Sequence, residues 1–278
     1  PELLVAISDR FRALAGLRGL AATRRLVREL GPGAHALRDR LEDGSTGLND
    51  REGELSLSLA GVIGWLHSAD ASVDVHNIIT AASSTNSEEF SAELDLVRHL
   101  AELYPGDPGI VIAMLMNLVT LRRGEGLFIP AGVLHAYVEG LGVELMASSD
   151  NVLRGGLTPK HVDVRELLTV LDAAPSPPAI VHPTRIDEGV DRYGIPVDDF
   201  QLRRVNVTDH CHPVVEIVGH TIVLAVEGSV TVAVDRTARQ RTLSAGVAAF
   251  ITADENRIRF TGAGEVFLAS PGTLHPPV

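Results

Sequence analysis

The fold is decided by residues 124–160, which read GEGLFIPAGVLHAYVEGLGVELMASSDNVLRGGLTPK. Short runs with partial alternation, GLFIP, HAYVEG and VELMA, are separated by glycines, a pattern that predicts short β-strands joined by tight turns. The segment also contains a histidine, several carboxylates, an arginine and a lysine. Metal binding, acid–base chemistry and anion binding could therefore all be assembled within it.

The sharpest pattern in this segment is the spacing Gly124-x5-Pro130-x-Gly132-x2-His135. The glycines and the proline suit tight turns between strands, and His135 follows at the start of a strand. The spacing resembles the second sequence motif of the cupin superfamily, although Glu139 stands where the motif ends in asparagine. In that reading His135 points into a small β-barrel and binds a metal as a neutral imidazole. The alternative is a turn-rich hairpin with a buried, hydrogen-bonded histidine.

With the residues that follow, the segment resembles the signature of the type I phosphomannose isomerase family. The likeness is dense over residues 124–160 and looser in FRALAGLR, residues 11–18, and IPVDDFQL, residues 195–202. The resemblance implies an aldose–ketose isomerase that interconverts mannose 6-phosphate and fructose 6-phosphate through a cis-enediol. It also implies one Zn²⁺ per active site.

The resemblance assigns roles to single residues. It implies that His135 and Glu2 ligate the zinc ion and that Arg154 is catalytic. It implies a substrate-binding role for Lys160, Glu144 and Tyr137. The family's remaining ligands, a Gln-x-His pair, and a lysine would precede Pro1, so the sequence is expected to lack an N-terminal part and to be incomplete as an enzyme.

Each of these residues also has an ordinary structural interpretation. Glu2 could be a solvated acid near a terminus, Arg154 an ion-pair partner of Asp150, and Lys160 a surface lysine. Glu144 and Tyr137 could be residues at the edge of the core that make one hydrogen bond each.

A second metal-like pattern occurs near the C-terminus, where His210-Cys211-His212 is followed by Glu216. In cupins the His-x-His…Glu motif precedes the Pro-Gly-His segment, whereas here it comes after that segment. The two patterns are therefore in the wrong order to belong to one barrel. The later stretch GVAAFITADEN has no histidine after its turn. We therefore expect a C-terminal cupin domain without metal.

The predicted fold class is mixed α and β, with cupin (jelly-roll) β-barrels and a helical insert domain. Helical spacing is found from Asp9 to about Tyr104, as in ATRRLVREL and EEFSAELDLVRHLAELY, with Ser87 as a helix start. Strand patterns such as NLVTL follow Pro108, a helix-like patch is found at residues 164–171, and the proline-rich AAPSPPAIVHP suggests a linker. From about Phe200 short strands are expected again, among them TIVLAVEG, SVTVAVD, NRIRFTG and EVFLAS, with glycines at several of their ends. The expected divisions are residues 1–8 (remnant of the first cupin domain), 9–107 (helical insert), 108–178 (remainder and linker) and 179–278 (C-terminal cupin domain).

Composition limits the possible partners. The 278 residues carry a formal charge of −12, which argues against nucleic acid and acidic membranes as partners. The single cysteine excludes an internal disulfide framework and suits a reducing compartment. We expect a cytoplasmic monomer that acts on a small sugar phosphate, with no membrane contact. Two alternatives remain: a non-catalytic sugar-phosphate-binding cupin, and a zinc cupin isomerase of another phosphosugar.

Overall fold

The computed structural model of the chain describes residues 1–43, 52–149 and 151–272. Its first part is a sandwich of two antiparallel sheets. One sheet has the strand order β6-β1-β4-β7 and the other the order β3-β2-β5. The strands are β1 (Glu2–Ala6), β2 (Arg10–Leu17), β3 (Met116–Arg122), β4 (Gly126–Ile129), β5 (His135–Glu139), β6 (Gly142–Met146) and β7 (Ala179–Val181).

Apolar side chains fill the space between these two sheets. They alternate along the strands with residues that face outward, as expected for a sandwich whose two sheets share one core. The inner core consists of Leu4, Ala6, Phe11, Ala13, Ala15, Val119, Leu121, Leu127 and Ile129.

A helical domain covers the outer face of the β3-β2-β5 sheet. It is built from α1 (Leu20–Glu29), α2 (His35–Asp43), α3 (Glu52–Leu66), α4 (Ser72–Ser84), α5 (Ser91–Leu103) and α6 (Gly109–Leu115). Leu14 and Leu17 of β2 belong to the same core as the apolar faces of these helices. At the predicted helix start, the Ser87 hydroxyl accepts a hydrogen bond from the backbone N–H of Phe90, and α5 begins at Ser91.

The prediction of a helical pattern from Asp9 onward is wrong for residues 10–17, which form β2. The reason is that both faces of this strand are buried. Phe11, Ala13 and Ala15 face the inner core, while Leu14 and Leu17 face the helices. The apolar–polar alternation typical of a half-buried strand is therefore absent. Helical structure also extends beyond Pro108, because residues 109–115 form α6.

The strands predicted after residue 116 are confirmed as β3 to β6, and the helical patch at residues 164–171 is α7 (Val164–Val170). The predicted linker contains β7, whose residues pair with β4. The sheet of the first sandwich therefore extends past residue 178. The mixed α and β class with a helical insert is confirmed.

The C-terminal part forms one large antiparallel sheet around its own core. Four of the predicted strands join into two long ones. Residues 221–234 form a single strand with an irregularity between Ala225 and Glu227, and residues 257–271 form the other. The strands are β8 (Pro183–Asp187), β9 (Val190–Tyr193), β10 (Phe200–Val207), β11 (Val214–Glu216), β12 (Thr221–Val234), β13 (Gln240–Ser244), β14 (Ala248–Ile251) and β15 (Arg257–Pro271).

The two β-structures share an apolar interface. It is formed by the outer face of the β6-β1-β4-β7 sheet and by strands β9, β10 and β15, and it contains Leu3, Val5, Phe128, Tyr193, Phe200, Leu202 and Phe267. Polar contacts border it. The Tyr193 hydroxyl donates to the Gly124 carbonyl at 3.0 Å, and Arg123 pairs with Glu227 at 2.6 Å and with Glu265 at 3.3 Å. None of the helices within the described ranges combines the length and apolar character that crossing a membrane would require.

Candidate active site

The candidate site lies between the two sheets of the first sandwich, where polar side chains replace the apolar core. Glu2 is on the inner face of β1, because Leu4 and Ala6 at the same alternation belong to the inner core. His135 and Tyr137 of β5 stand opposite Ala15 and Ala13 of β2, which also face inward. Side chains from both sheets therefore meet at this position.

Glu2 and His135 are in direct contact across the two sheets. A carboxylate oxygen of Glu2 lies 3.1 Å from Nε2 of His135, and both side chains are largely buried, with 17% and 27% of their surface exposed. The other ring nitrogen, Nδ1, lies 3.1 Å from the Val133 carbonyl oxygen. Since a carbonyl only accepts, Nδ1 carries the proton in this contact, and Nε2 is left to face the carboxylate. The lone pair of Nε2 and the negative carboxylate of Glu2 would repel each other at this distance, so a proton or a metal cation is needed between them.

This pair has the chemistry and spacing of two zinc ligands. Imidazole nitrogen and carboxylate oxygen bind Zn²⁺ at about 2.0–2.2 Å, and tetrahedral coordination then separates two ligand atoms by about 3.3 Å. The observed 3.1 Å between Nε2 and the carboxylate oxygen is close to that separation. The Val133 carbonyl also supplies the outer hydrogen bond that usually orients a metal-binding histidine. Within the described part of the chain no group of three or more potential ligands is assembled, so these residues provide a pair.

Tyr137 and Glu144 form a second polar contact between the sheets. The Tyr137 hydroxyl donates to a Glu144 carboxylate oxygen at 2.8 Å, and its ring packs edge-on against Phe11. Glu144 stands opposite Leu4 of β1 and therefore shares the inner face with Glu2. Partial burial raises the pKa of Tyr137, and the hydrogen bond and negative charge of Glu144 raise it further. Tyr137 therefore remains a hydrogen-bond donor through the physiological pH range.

Arg154 and Lys160 lie in the irregular segment between β6 and α7. Arg154 is partly buried, and no hydrogen bond or ion pair joins it to the other residues that the structure describes. Its suggested alternative partner, Asp150, lies outside the described residues. Lys160 is exposed, and its backbone N–H donates to the Thr158 hydroxyl. The structure does not join either cation to Glu2 or His135 by a direct contact.

Two residues of the helical domain that the sequence left without a role contact this irregular segment. His67 Nε2 lies 3.2 Å from the Gly155 carbonyl, and the Asp107 carboxylate accepts from the backbone N–H of Leu157 at 3.1 Å. The sequence offered little signal for them, because His67 directly follows an apolar helix and Asp107 follows a Pro-Gly helix stop. Only the fold brings them to the segment that carries Arg154.

The second metal-like pattern is dispersed over the surface of the C-terminal part. His210 and His212 are exposed, and Cys211 is a free thiol of intermediate exposure. Glu216 lies on β11, where its carbonyl oxygen accepts a hydrogen bond from Arg203. The expectation of a C-terminal cupin domain without metal stays a prediction.

Comparison with known proteins gives consistent matches. No protein-family model matches the chain. The chain is 34% identical over 178 residues to a mannose-6-phosphate isomerase of Salmonella typhimurium, an alignment that covers 61% of this chain and 43% of the relative. It is 32% identical over 271 residues to the mannose-6-phosphate isomerase of Rattus norvegicus, covering 92% and 63%. The chain thus spans less than two thirds of the length of these relatives.

The fold comparison agrees over nearly the whole chain. A crystal structure of mannose 6-phosphate isomerase from Salmonella typhimurium, bound to fructose 6-phosphate and zinc, superposes with a TM-score of 0.79 at 28% identity. The match covers 98% of this chain and 66% of that one. A zinc-bound structure of mannose 6-phosphate isomerase gives the same TM-score and identity. The predicted cupin architecture is confirmed by these structural neighbours.

Proposed function

We propose that this chain, which belongs to the phosphomannose isomerase family, is part of an enzyme that interconverts mannose 6-phosphate and fructose 6-phosphate. The observation that carries the proposal is the Glu2–His135 pair. A carboxylate and an imidazole from opposite sheets face each other at 3.1 Å, in a family whose solved members bind zinc and fructose 6-phosphate.

The proposed metal ligands are Glu2 and His135. A bound zinc ion would supply Lewis acidity toward the sugar oxygens, and catalytic zinc sites use about three protein ligands and an open position. Glu2 contributes a negative charge, and His135 contributes Nε2 because its Nδ1 proton is held by the Val133 carbonyl. At least one further protein ligand to the zinc ion would be needed in addition to Glu2 and His135.

The isomerisation moves a proton between C1 and C2 of the sugar through a cis-enediol, so negative charge develops on the sugar oxygens. Arg154 is proposed to stabilise that charge and to fix the substrate, because a guanidinium stays protonated at all relevant pH values. Arg154 lies partly buried in the irregular segment between β6 and α7, and the neighbouring Gly155 packs close to Leu134, the residue before His135.

The other polar residues are proposed to bind the substrate. Lys160 is an exposed cation suited to the phosphate group or to proton transfer. Tyr137 keeps its proton and can donate to a sugar hydroxyl, while Glu144 orients the Tyr137 hydroxyl and can accept from a second one.

The decisive experiment is an isomerisation assay on the full-length protein that contains this chain, followed by NMR with mannose 6-phosphate as substrate. We expect turnover that depends on zinc, and a decrease in kcat of about 100-fold or more for Arg154→Ala. Arg165→Ala is the matched control, because Arg165 is an exposed arginine of α7, and it should leave kcat unchanged.

Two other results would contradict the proposed function, and each would support one of the two alternative functions. Binding of mannose 6-phosphate without turnover by the zinc-loaded protein would identify a non-catalytic sugar-phosphate-binding cupin. Turnover of another phosphosugar, with mannose 6-phosphate unreactive, would identify a different zinc cupin isomerase.

We also propose that the protein acts as a cytoplasmic monomer without nucleic-acid partners. The formal charge of −12 supports the absence of nucleic-acid partners, and the single cysteine suits a reducing compartment. Light scattering of the purified protein tests the monomer directly, and a mass of twice the chain or more would contradict it.

A further inference from the structure

The segment that carries Arg154 is attached to the helical domain by hydrogen bonds to its backbone. The Asp107 carboxylate spans two backbone donors with its two oxygens. One accepts from Gly109 N–H, at the start of α6, at 2.7 Å, and the other accepts from Leu157 N–H at 3.1 Å. One side chain thus ties the residues after Arg154 to the first turn of a buried helix.

His67 provides a second attachment one residue after Arg154. Its Nε2 lies 3.2 Å from the Gly155 carbonyl oxygen, and since a carbonyl only accepts, Nε2 is the protonated nitrogen. Burial lowers the pKa of His67, although the bond to Gly155 and the charge of Asp107 act in the opposite direction. The neutral ring therefore serves as a fixed donor to this backbone.

The backbone itself fits closely against α6. A Cβ atom on Gly156 would lie 2.7 Å from the Cα atom of Gly109, and Gly156 has φ +129°, a conformation that favours glycine. Leu157 follows with φ +55°, which is uncommon for a branched residue and requires support from its surroundings. The bond from its N–H to Asp107 provides part of that support.

This segment also adjoins the strand that carries His135. A Cβ atom on Gly155 would lie 3.2 Å from the side chain of Leu134, the residue before His135. The attachments to the helical domain therefore hold the backbone next to Arg154 close to the residue that precedes the proposed zinc ligand His135.

From these contacts we infer that Asp107, assisted by His67, is a positioning residue that acts on the isomerisation through Arg154. The inference rests on the proposed function. It assigns the helical domain a part in catalysis, because a catalytic cation on an irregular segment requires a rigid attachment. A displacement of about 1 Å in a catalytic group can decrease turnover by about 100-fold.

The test is a double-mutant cycle in the full-length zinc-loaded protein, comparing Asp107→Ala, Arg154→Ala and the double variant. We expect Asp107→Ala to lower kcat between about 10-fold and 100-fold while zinc content is retained. In the Arg154→Ala background the same substitution should change kcat by less than about twofold, because the residue through which it acts is gone. Equal fold-losses in both backgrounds would overturn the inference.

Hydrogen exchange provides a readout that does not depend on turnover. Asp107→Ala should speed the exchange of the Leu157 amide relative to the amides of α5. Unchanged exchange at Leu157 would overturn the inference. Should Asp107→Ala fail to fold, Asp107→Asn serves in both measurements, since its single amide oxygen retains one of the two bonds and should give intermediate losses.

Ser87→Ala is the matched control, because Ser87 also accepts a hydrogen bond from a backbone N–H in the helical domain but does not contact residues 154–157. It should leave kcat unchanged, and a loss equal to that of Asp107→Ala would assign the effect to general stability. Absence of isomerase activity in the parent protein would instead overturn the proposed function, and the inference with it.

Discussion

Glu2 and His135 lie on opposite sheets of the first sandwich, and 3.1 Å separates a carboxylate oxygen of Glu2 from Nε2 of His135. Glu2 begins β1, which is paired on both sides, with β4 and with β6. His135 begins β5, which is paired with β2. The distance between the two side chains is therefore set by the packing of the two sheets, and a ligand bound by both would join the sheets.

Glu2→Gln is expected to weaken zinc binding by the full-length protein by more than about 100-fold. Loss of an outer-sphere partner of a metal ligand costs about 10-fold to 100-fold in affinity, and loss of a direct ligand should cost more. Competition with a chromophoric chelator measures the affinity. Glu139→Gln is the control, because Glu139 lies on the same strand as His135 but pairs with Arg10 and Arg12. Equal zinc affinity in Glu2→Gln and the parent would show that Glu2 is not a ligand.

Tyr137→Phe is expected to lower kcat/KM by about fivefold, the equivalent of one hydrogen bond worth about 1 kcal/mol. Burial, followed by the hydrogen bond and charge of Glu144, raises the pKa of Tyr137 above its ordinary value of about 10. The phenol therefore stays protonated below about pH 10. The pH dependence of kcat/KM should keep the same alkaline limb in parent and variant. A limb that disappears in Tyr137→Phe would mean that Tyr137 ionises during turnover.

Gly156→Ala is expected to destabilise the protein by about 2 kcal/mol or more and to abolish the attachment of residues 154–157. The added Cβ would come 2.7 Å from the Gly109 Cα atom, and φ of +129° is strained for any L side chain. Denaturant unfolding measures the loss.

Gly61→Ala is the matched glycine substitution. Gly61 lies in α3, is exposed, and has no atom within 4 Å of its added Cβ. It should stabilise the protein by up to about 1 kcal/mol, because alanine favours the helix interior. Equal effects of the two substitutions would contradict the packing of Gly156 on Gly109.

The sequence predicted the strands β3 to β6 because they are short, partly alternating runs bounded by glycines. β4 is buried on both faces, and the glycines and Pro130 beside it still marked it as a strand. The prediction failed for β2, since Phe11 and Ala13 face one core while Leu14 and Leu17 face another. A strand buried on both faces has no apolar–polar alternation to detect.

Glycines were also misleading as strand ends in the C-terminal part. Gly228 lies within β12, paired with Gly264 of β15. A Cβ atom on Gly228 would lie 2.2 Å from the Ala263 carbonyl oxygen. These glycines mark close approach of two backbones in a continuous strand pair rather than a turn.

For the candidate site, the spacing around His135 and the family signature identified the residues but not their contacts. The contacts of Glu2 with His135 and of Tyr137 with Glu144 depend on how two sheets pack, which local patterns do not encode. The roles inferred for His67 and Asp107 depend on the helical domain approaching residues 154–157. Contacts between distant segments of this kind require the three-dimensional structure.

Tyr193 gives a prediction for the interface between the two β-structures. Its side chain is buried beside Phe267, and its hydroxyl donates to the Gly124 carbonyl of the first sandwich at 3.0 Å. Burial raises the pKa of Tyr193 to about 12, with the nearby charge of Arg204 acting against the shift. In the unfolded chain the phenol ionises near pH 10. Between about pH 10 and pH 12 the unfolded state therefore binds fewer protons than the folded state, and the free energy of unfolding must fall as pH rises.

Tyr193→Phe should accordingly lower the free energy of unfolding by about 1 kcal/mol at neutral pH, because the Gly124 carbonyl loses its donor. It should also reduce the decrease in stability above pH 10. Denaturant unfolding of parent and variant at neutral pH and in the alkaline range measures both effects. Parallel stability curves over the alkaline range would mean that Tyr193 ionises equally in the folded and unfolded states. That result would contradict its burial and its hydrogen bond across the interface.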